Sequence, residues 1–261
     1  MDSFNVALER LGIDTEEIAA ALSPVVPPYT IFLSGSVVEG YGNSESDLDV
    51  FVIYPEEMPP LQAAYTTDTN VILNEYTEHW RLDIECWPKW AVLSTAERIS
   101  RCAPGNWNEC RNLDLNDLYL AHRVRVGIPI EHEEGFRTLH ATFDFQHISR
   151  VIMTKCLMGY MGIAEDAAGA IDSGQHGAAL LMSRQAMQRA IDTLLAAHGD
   201  TSPKEKWRFF KLQKLGDANL FERYWVLETQ GIQGREDVFE YAKSCLSFAN
   251  QIVLRSQKMV V

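Results

Sequence analysis

Apolar positions recur at helical spacing over residues 3–22, with Asp14 or Thr15 placed to cap a second short helix whose first turn holds Glu16 and Glu17. The pattern then changes. Tyr29-Thr-Ile-Phe-Leu33 is short, apolar and β-branched, and Pro27 and Pro28 before it block helix continuation, so it predicts a strand. Residues 34–46, SGSVVEGYGNSES, predict a loop or a short broken helix. Asp47 to Ile53, DLDVFVI, predicts a buried strand, and two more strands near 69–77 and 79–86 would be joined by a hairpin near Glu78. A helix over 88–103 follows Pro88. APGNWNE at 103–109 predicts a loop, and DLNDLYLAHRVRV at 114–126 a helix ended by Gly127 and Pro129.

From about residue 140 the spacing is helical almost throughout. Candidate helices cover 143–163, 175–198, 203–215, 218–229 and 235–257, with breaks at Gly199-Asp200, Gly216-Asp217 and Gly231 to Gly234. The expected fold is an α/β core with a mixed β-sheet over residues 1–135, followed by an all-α helical bundle over 136–261. A chain of 261 residues suits one large domain or two modest ones, and the change of period favours two. No internal repeat or low-complexity tract interrupts it.

Composition narrows the classes. Hydrophobic residues at 46% and charged residues at 23% are ordinary for a globular protein, and no apolar run is long enough to cross a bilayer. The first residues, MDSFNVALERLGIDTEE, carry early acids and no basic-then-apolar run, so the expected location is the cytoplasm. Five cysteines at irregular spacings, none in a Cys-x-x-Cys pair, read as reduced thiols, and neither they nor the seven histidines supply the spacing of a structural zinc site. A net charge of −13 argues against broad binding to nucleic acid and is read first as a solubility device.

The chemistry concentrates in Gly35-Ser36-Val-Val-Glu-Gly40 and, five residues on, Ser46-Asp47-Leu-Asp49. Carboxylates one residue apart on a strand share a face, so Asp47 and Asp49 can bind one cation together. Phosphoryl transfer from an NTP needs hard oxygen ligands for Mg²⁺. Gly35-Ser36 offers unobstructed backbone N–H groups and a hydroxyl to the β- and γ-phosphates. HWRLDIECW at 79–87 supplies a third acid on a neighbouring strand: its apolar Trp80, Leu82, Ile84 and Cys86 alternate with His79, Arg81, Asp83 and Glu85.

The motif Gly-Ser-x3-Gly-x5-Ser-Asp-x-Asp, followed by an apolar strand, resembles the signature of the DNA polymerase β-like nucleotidyltransferases, and the α/β-then-helical architecture is similar to kanamycin-type adenylyltransferases. The resemblance covers about residues 29–90. It implies Asp47, Asp49 and Asp83 as catalytic metal ligands and Gly35, Ser36 and Ser46 as the nucleotide-binding set. It also implies Mg²⁺ or Mn²⁺ as cofactor and an NTP, ATP by preference, as co-substrate. The family pattern favours Asp83 over Glu85 as third acid. Glu85 stays open as a base, or as a strand-end acid paired with Arg81 or Lys89. The expected acceptor is a small molecule such as an antibiotic or biosynthetic intermediate; protein and RNA acceptors are alternatives, and a homodimer is compatible. The competing class is a non-catalytic nucleotide-sensing or antitoxin-like protein.

Other polar groups carry weaker signals. His140, Asp144 and His147 at the start of the long helix read more readily as surface or interface groups than as acceptor-site residues. The stretch Ser202 to Lys214, with Lys204, Lys206, Arg208, Lys211 and Lys214, fits equally a phosphate-reaching surface and a solvated amphipathic helix, and Arg184 and Arg189 share that ambiguity.

Overall fold

The structure, a computed structural model, describes residues 3–22, 27–59, 61, 64–229 and 235–259. Two compact units emerge: residues 1–101 with 115–144, and residues 102–114 with 145–261.

The first unit is built on a six-stranded sheet. Its strands are β1 (Thr30–Ser34), β2 (Leu48–Tyr54), β3 (Tyr65–Thr66), β4 (Val71–Tyr76), β5 (Arg81–Pro88) and β6 (Ile128–Glu131), in the order β3-β4-β5-β2-β1-β6. All pairings are antiparallel except β2 with β5. Its helices are α1 (Ser3–Leu11), α2 (Thr15–Leu22), α3 (Gly35–Glu39), α4 (Lys89–Arg101), α6 (Leu115–Val126) and α7 (Glu133–His140). Asp14 starts α2 as expected, its carboxylate accepting from the Glu16 N–H at 2.9 Å.

Strand alternation divides the sheet into two unlike faces. Ile31, Leu33, Leu48, Val50, Val52, Leu82, Ile84 and Cys86 form one buried core with Leu8, Ile13 and Ile18 of the N-terminal helices and the turn between them. Each fully buried aliphatic side chain there contributes about 1.5–3 kcal/mol. The opposite face carries Phe32 stacked on Phe51 at 5.0 Å, with Phe136 of α7 tilted against Phe32 at 5.1 Å. On this second face the residues alternating with the core set on β5 are only partly buried: Asp83, Glu85 and Trp87. Helix α6 is fixed to α4 through buried Asp117, which accepts from Arg98 Nε at 2.9 Å and Nη2 at 2.6 Å and from Thr95 Oγ1 at 3.2 Å.

The second unit comprises α5 (Trp107–Asn112), α8 (Phe145–Asp172), α9 (His176–Ala197), a 3₁₀ turn (Glu205–Trp207), α10 (Arg208–Lys214), α11 (Ala218–Thr229) and α12 (Arg235–Lys258). Helices α9 to α12 share a core that includes Met187, Ile191, Leu194, Leu212, Tyr224, Cys245 and Phe248. The expected helices are all present, α8 running on past residue 163 through its alanine-rich end. The break expected at Gly231 to Gly234 lies outside the described residues.

Four short elements differ from the sequence expectation. The loop predicted at 103–109 already begins α5 at Trp107, with the Asn106 side chain accepting from the Glu109 N–H. Gly127 and Pro129 do end α6, but the chain after them pairs as β6 at the sheet edge, where proline's missing N–H leaves no bond broken. Helix α7 and the two-residue β3 were not expected. The division expected after residue 135 falls after 144 by contacts, since Phe136 ties α7 to the sheet. Residues 102–114 join the helical unit: Lys155 of α8 donates to the carbonyls of Cys110, Arg111 and Leu113 at 2.8, 3.3 and 2.9 Å. The five thiols are free, Cys102 and Cys110 lying 3.2 Å apart.

Phe32→Ala removes a fully buried ring from the Phe51 and Phe136 stack. The substitution is expected to cost about 3–5 kcal/mol, read as a lower urea midpoint for loss of the sheet unit's near-ultraviolet signal.

Candidate functional site

The site begins where β1 ends. Ser34 closes the strand, its hydroxyl donating to the Arg123 carbonyl at 3.0 Å, and Gly35 turns the chain into α3 with φ of 86°. That left-handed conformation suits glycine, and a Cβ there would overlap both Asp49 Oδ2 and Arg123 Nη1. After α3, the N–H groups of Tyr41 and Gly42 both donate to the Ser36 carbonyl, at 2.8 and 2.9 Å, folding the loop back toward β2. Ser46 braces this loop: its hydroxyl accepts from the Asn43 N–H at 2.9 Å and donates to Asn43 Oδ1 at 3.3 Å.

Pairing of β2 with β5 brings the acids together. Their parallel register aligns Asp49 with Asp83 and Phe51 with Glu85, while Ser34 of β1 lies opposite Asp49 on the other side. With strands about 4.8 Å apart and period-two alternation, Asp49, Asp83 and Glu85 share one face. Asp47 has the same parity just before β2.

Guanidinium groups hold two of these carboxylates. Arg123 of α6 donates through Nη2 to Asp49 Oδ1 at 2.8 Å and lies with Nη1 3.5 Å from Oδ2. This pair is buried, with side-chain exposures of 9% and 16%, and the Arg123 guanidinium lies 5.9 Å from the Phe51 ring centroid. Arg81 grips Asp47 through Nε and through Nη2, the latter at 2.6 Å from Oδ2, but both partners are substantially exposed. Next to Arg123 on α6, His122 Nε2 lies 3.1 Å from Glu39 Oε2 of α3, so a second buried pair joins these helices.

Glu85 is the site's electrostatically perturbed acid. Burial pushes its carboxyl above the ordinary range, and the charges of Asp83 and Asp49 push the same way; the Trp87 indole N–H, donating at 3.1 Å, and Arg123 oppose the shift. The alternative that paired it with Arg81 or Lys89 is not what the structure shows: Arg81 binds Asp47, and Lys89 Nζ sits 3.8 Å from the Tyr29 ring centroid. The acids suit a hard divalent cation in donor chemistry, with Asp49 and Asp83 adjacent in register and Gly35 lacking the Cβ that would displace the Asp49 carboxylate. Among the described residues no three His, Cys, Asp or Glu side chains converge as a finished cation cage.

Sequence reasoning missed Arg123. Its signal was position, since it stands three residues after buried Leu120 and beside buried Val124 on a helix of core residues. His140 ends α7 in the sheet unit, while His147 lies in the first turn of α8 in the helical unit, so they do not share a helix. In the basic stretch, the two buried cations have structural partners. Arg208 donates to Asp192 at 2.7 and 2.8 Å, and buried Lys211 donates to the Ser202 carbonyl at 2.6 Å. Arg184 donates to the Tyr241 hydroxyl at 2.6 Å, and Arg189 lies 2.6 Å from Glu205.

The structure thus sets a Gly-Ser turn beside an acid pair on adjacent strands, as the sequence motif led one to expect. Residues 15–83 match the family model described as a nucleotidyltransferase domain, which supports the resemblance to the polymerase β-like nucleotidyltransferase superfamily. The fold is similar to that of a nucleotidyltransferase-like protein from Exiguobacterium sibiricum, at 12% identity and a TM-score of 0.50 over 94% of this chain and 78% of that one. Among curated proteins no relative matches the chain. No helix among the described residues is long and apolar enough to cross a membrane.

Because folding raises the Glu85 pKa from its ordinary 4.5, the folded state holds this proton more tightly than the unfolded chain. Glu85 therefore lowers stability progressively as pH rises from about 4.5 through the folded value. Glu85→Gln, which keeps an acceptor for Trp87, is expected to have a Tm advantage over the native protein that is small at pH 4 and grows toward pH 7, measured by scanning calorimetry across that range.

Proposed function

We propose that this protein transfers a nucleoside monophosphate, AMP by preference, from an NTP to a hydroxyl of a small-molecule acceptor, with Mg²⁺ or Mn²⁺ bound at the acid cluster. The observation that carries this reading is the in-register placement of Asp49 beside Asp83, next to a glycine whose Cβ the site has no room for.

A bound divalent cation would supply neutralisation of the triphosphate and polarisation of the α-phosphate. Asp47, Asp49 and Asp83 would hold it, and Gly35 and Ser36 would present backbone N–H groups and one hydroxyl to the outer phosphates. Asp83 accepts the proton of the acceptor hydroxyl, whose oxygen forms the new bond to the α-phosphorus as the bond to pyrophosphate breaks. Glu85, whose carboxyl burial pushes above its ordinary range, is the alternative candidate for that proton. A net charge of −13 disfavours long polyanionic acceptors, which supports a small molecule over RNA.

The test incubates purified protein with each α-labelled NTP, Mg²⁺ or Mn²⁺, and separate pools of aminoglycosides, cell metabolites, tRNA and cell protein, following label and pyrophosphate. Label on a small molecule is the expected result. Asp49→Asn should lower the rate by about 10³-fold, the scale of removing a group that stabilises transition-state charge, with an unchanged circular dichroism spectrum. Metal-dependent NTP binding without transfer to any pool would favour a nucleotide-sensing protein instead.

A further inference from the structure

Three partly buried acids on one sheet face need a counter-charge, and Arg123 is a buried cation bonded to one of them, Asp49. It reaches Asp49 from α6 by the bonds described above, and its charge acts on Glu85 as well. Its place is secured from several sides: Ser34 binds its carbonyl, Phe51 lies beneath its guanidinium, and Gly35 leaves the space that it and Asp49 fill. The Arg81–Asp47 pair differs in kind, because its partners are 54% and 33% exposed and solvent screens their attraction.

We propose that Arg123 is a built-in competitor for the divalent cation, a positioning residue whose guanidinium occupies Asp49 and must give up that carboxylate before a cation can take it. The inference rests on the metal-dependent reading above and adds a consequence for it. The guanidinium keeps the acid cluster neutralised and Asp49 oriented when no cation is present, where unpaired buried carboxylates would destabilise the sheet end. It also weakens binding of a bare cation. A nucleotide's phosphates, arriving with the cation, offer the displaced guanidinium a new anionic partner, so cation and nucleotide bind better together than apart.

The experiment measures Mn²⁺ binding to nucleotide-free, full-length protein by loss of the free-ion paramagnetic resonance signal, with circular dichroism to confirm folding. Arg123→Met is expected to bind Mn²⁺ about tenfold more tightly than the native protein, since one charge-assisted bond no longer has to be broken. A purely structural role for Arg123 predicts the opposite sign, because a disordered Asp49 binds cations less well. Arg125→Met removes the same charge from an exposed position two residues along α6, and screening should hold its effect below about twofold. Should Arg123→Met fail to fold, Arg123→Lys, which keeps the charge but loses the fork, is expected to tighten Mn²⁺ binding by a smaller factor of about two to three. Unchanged or weaker Mn²⁺ binding by the folded variant, with the native protein binding normally, overturns the inference and leaves the proposed function standing. Absence of both Mn²⁺ and NTP binding in native protein and variants overturns both.

Discussion

Two carboxylates set side by side on neighbouring strands repel each other, and partial burial strengthens that repulsion by removing water. The whole end of this sheet is arranged around that cost. Asp49 and Asp83 are placed together by the parallel register of β2 and β5, and Glu85 adds a third acid on the same face, its pKa raised first by burial and further by the charges of Asp83 and Asp49. Arg123 offsets the repulsion from one side. A divalent cation would do so more completely, and this is the sense in which the cluster is proposed as a binding site.

The remainder of the unit keeps that cluster from relaxing. The apolar face of the sheet, closed by residues of the N-terminal helices, leaves β2 and β5 no register that preserves both the core and the separation of the acids: a shift by one residue would turn Leu82 and Ile84 outward and Asp83 into the core. Helix α6, anchored through Asp117 and Arg98, delivers Arg123 to Asp49, and Gly35 keeps the turn from β1 thin enough for both to fit. Sheet, helix and turn act on a single carboxylate.

Much of this was legible in the chain. The mixed sheet and the helices after it follow from hydrophobic period, because β1, β2, β5 and the long helices each bury one regular set of side chains. Period two alone put Asp83 and Glu85 on one face, and the Gly35 to Asp49 motif singled out the turn and the strand beside it. Short elements were less visible: β6 and α7 are each under three turns or a few pairs long, and their apolar residues, Ile128, Phe136 and Leu139, become informative only once the sheet they cover is known. The arginine partners were hidden for another reason. Arg123 lies 74 residues from Asp49, and nothing local distinguishes a guanidinium that will meet a carboxylate from one that will meet water. Arg81 illustrates this, since its nearest acids in sequence are Asp83 and Glu78 and its partner is Asp47.

The central claim is that the acids on β2 and β5 form a cation-dependent nucleotide site beside Gly35. Its most direct test is a crystal of the protein grown with Mn²⁺ and a non-hydrolysable ATP analogue, with the manganese located by its anomalous scattering. The account predicts an anomalous peak at Asp49 and Asp83, with the analogue's phosphates beside Gly35 and Ser36. A well-ordered analogue bound elsewhere, with no manganese at Asp49 and its carboxylate still on Arg123, would contradict it.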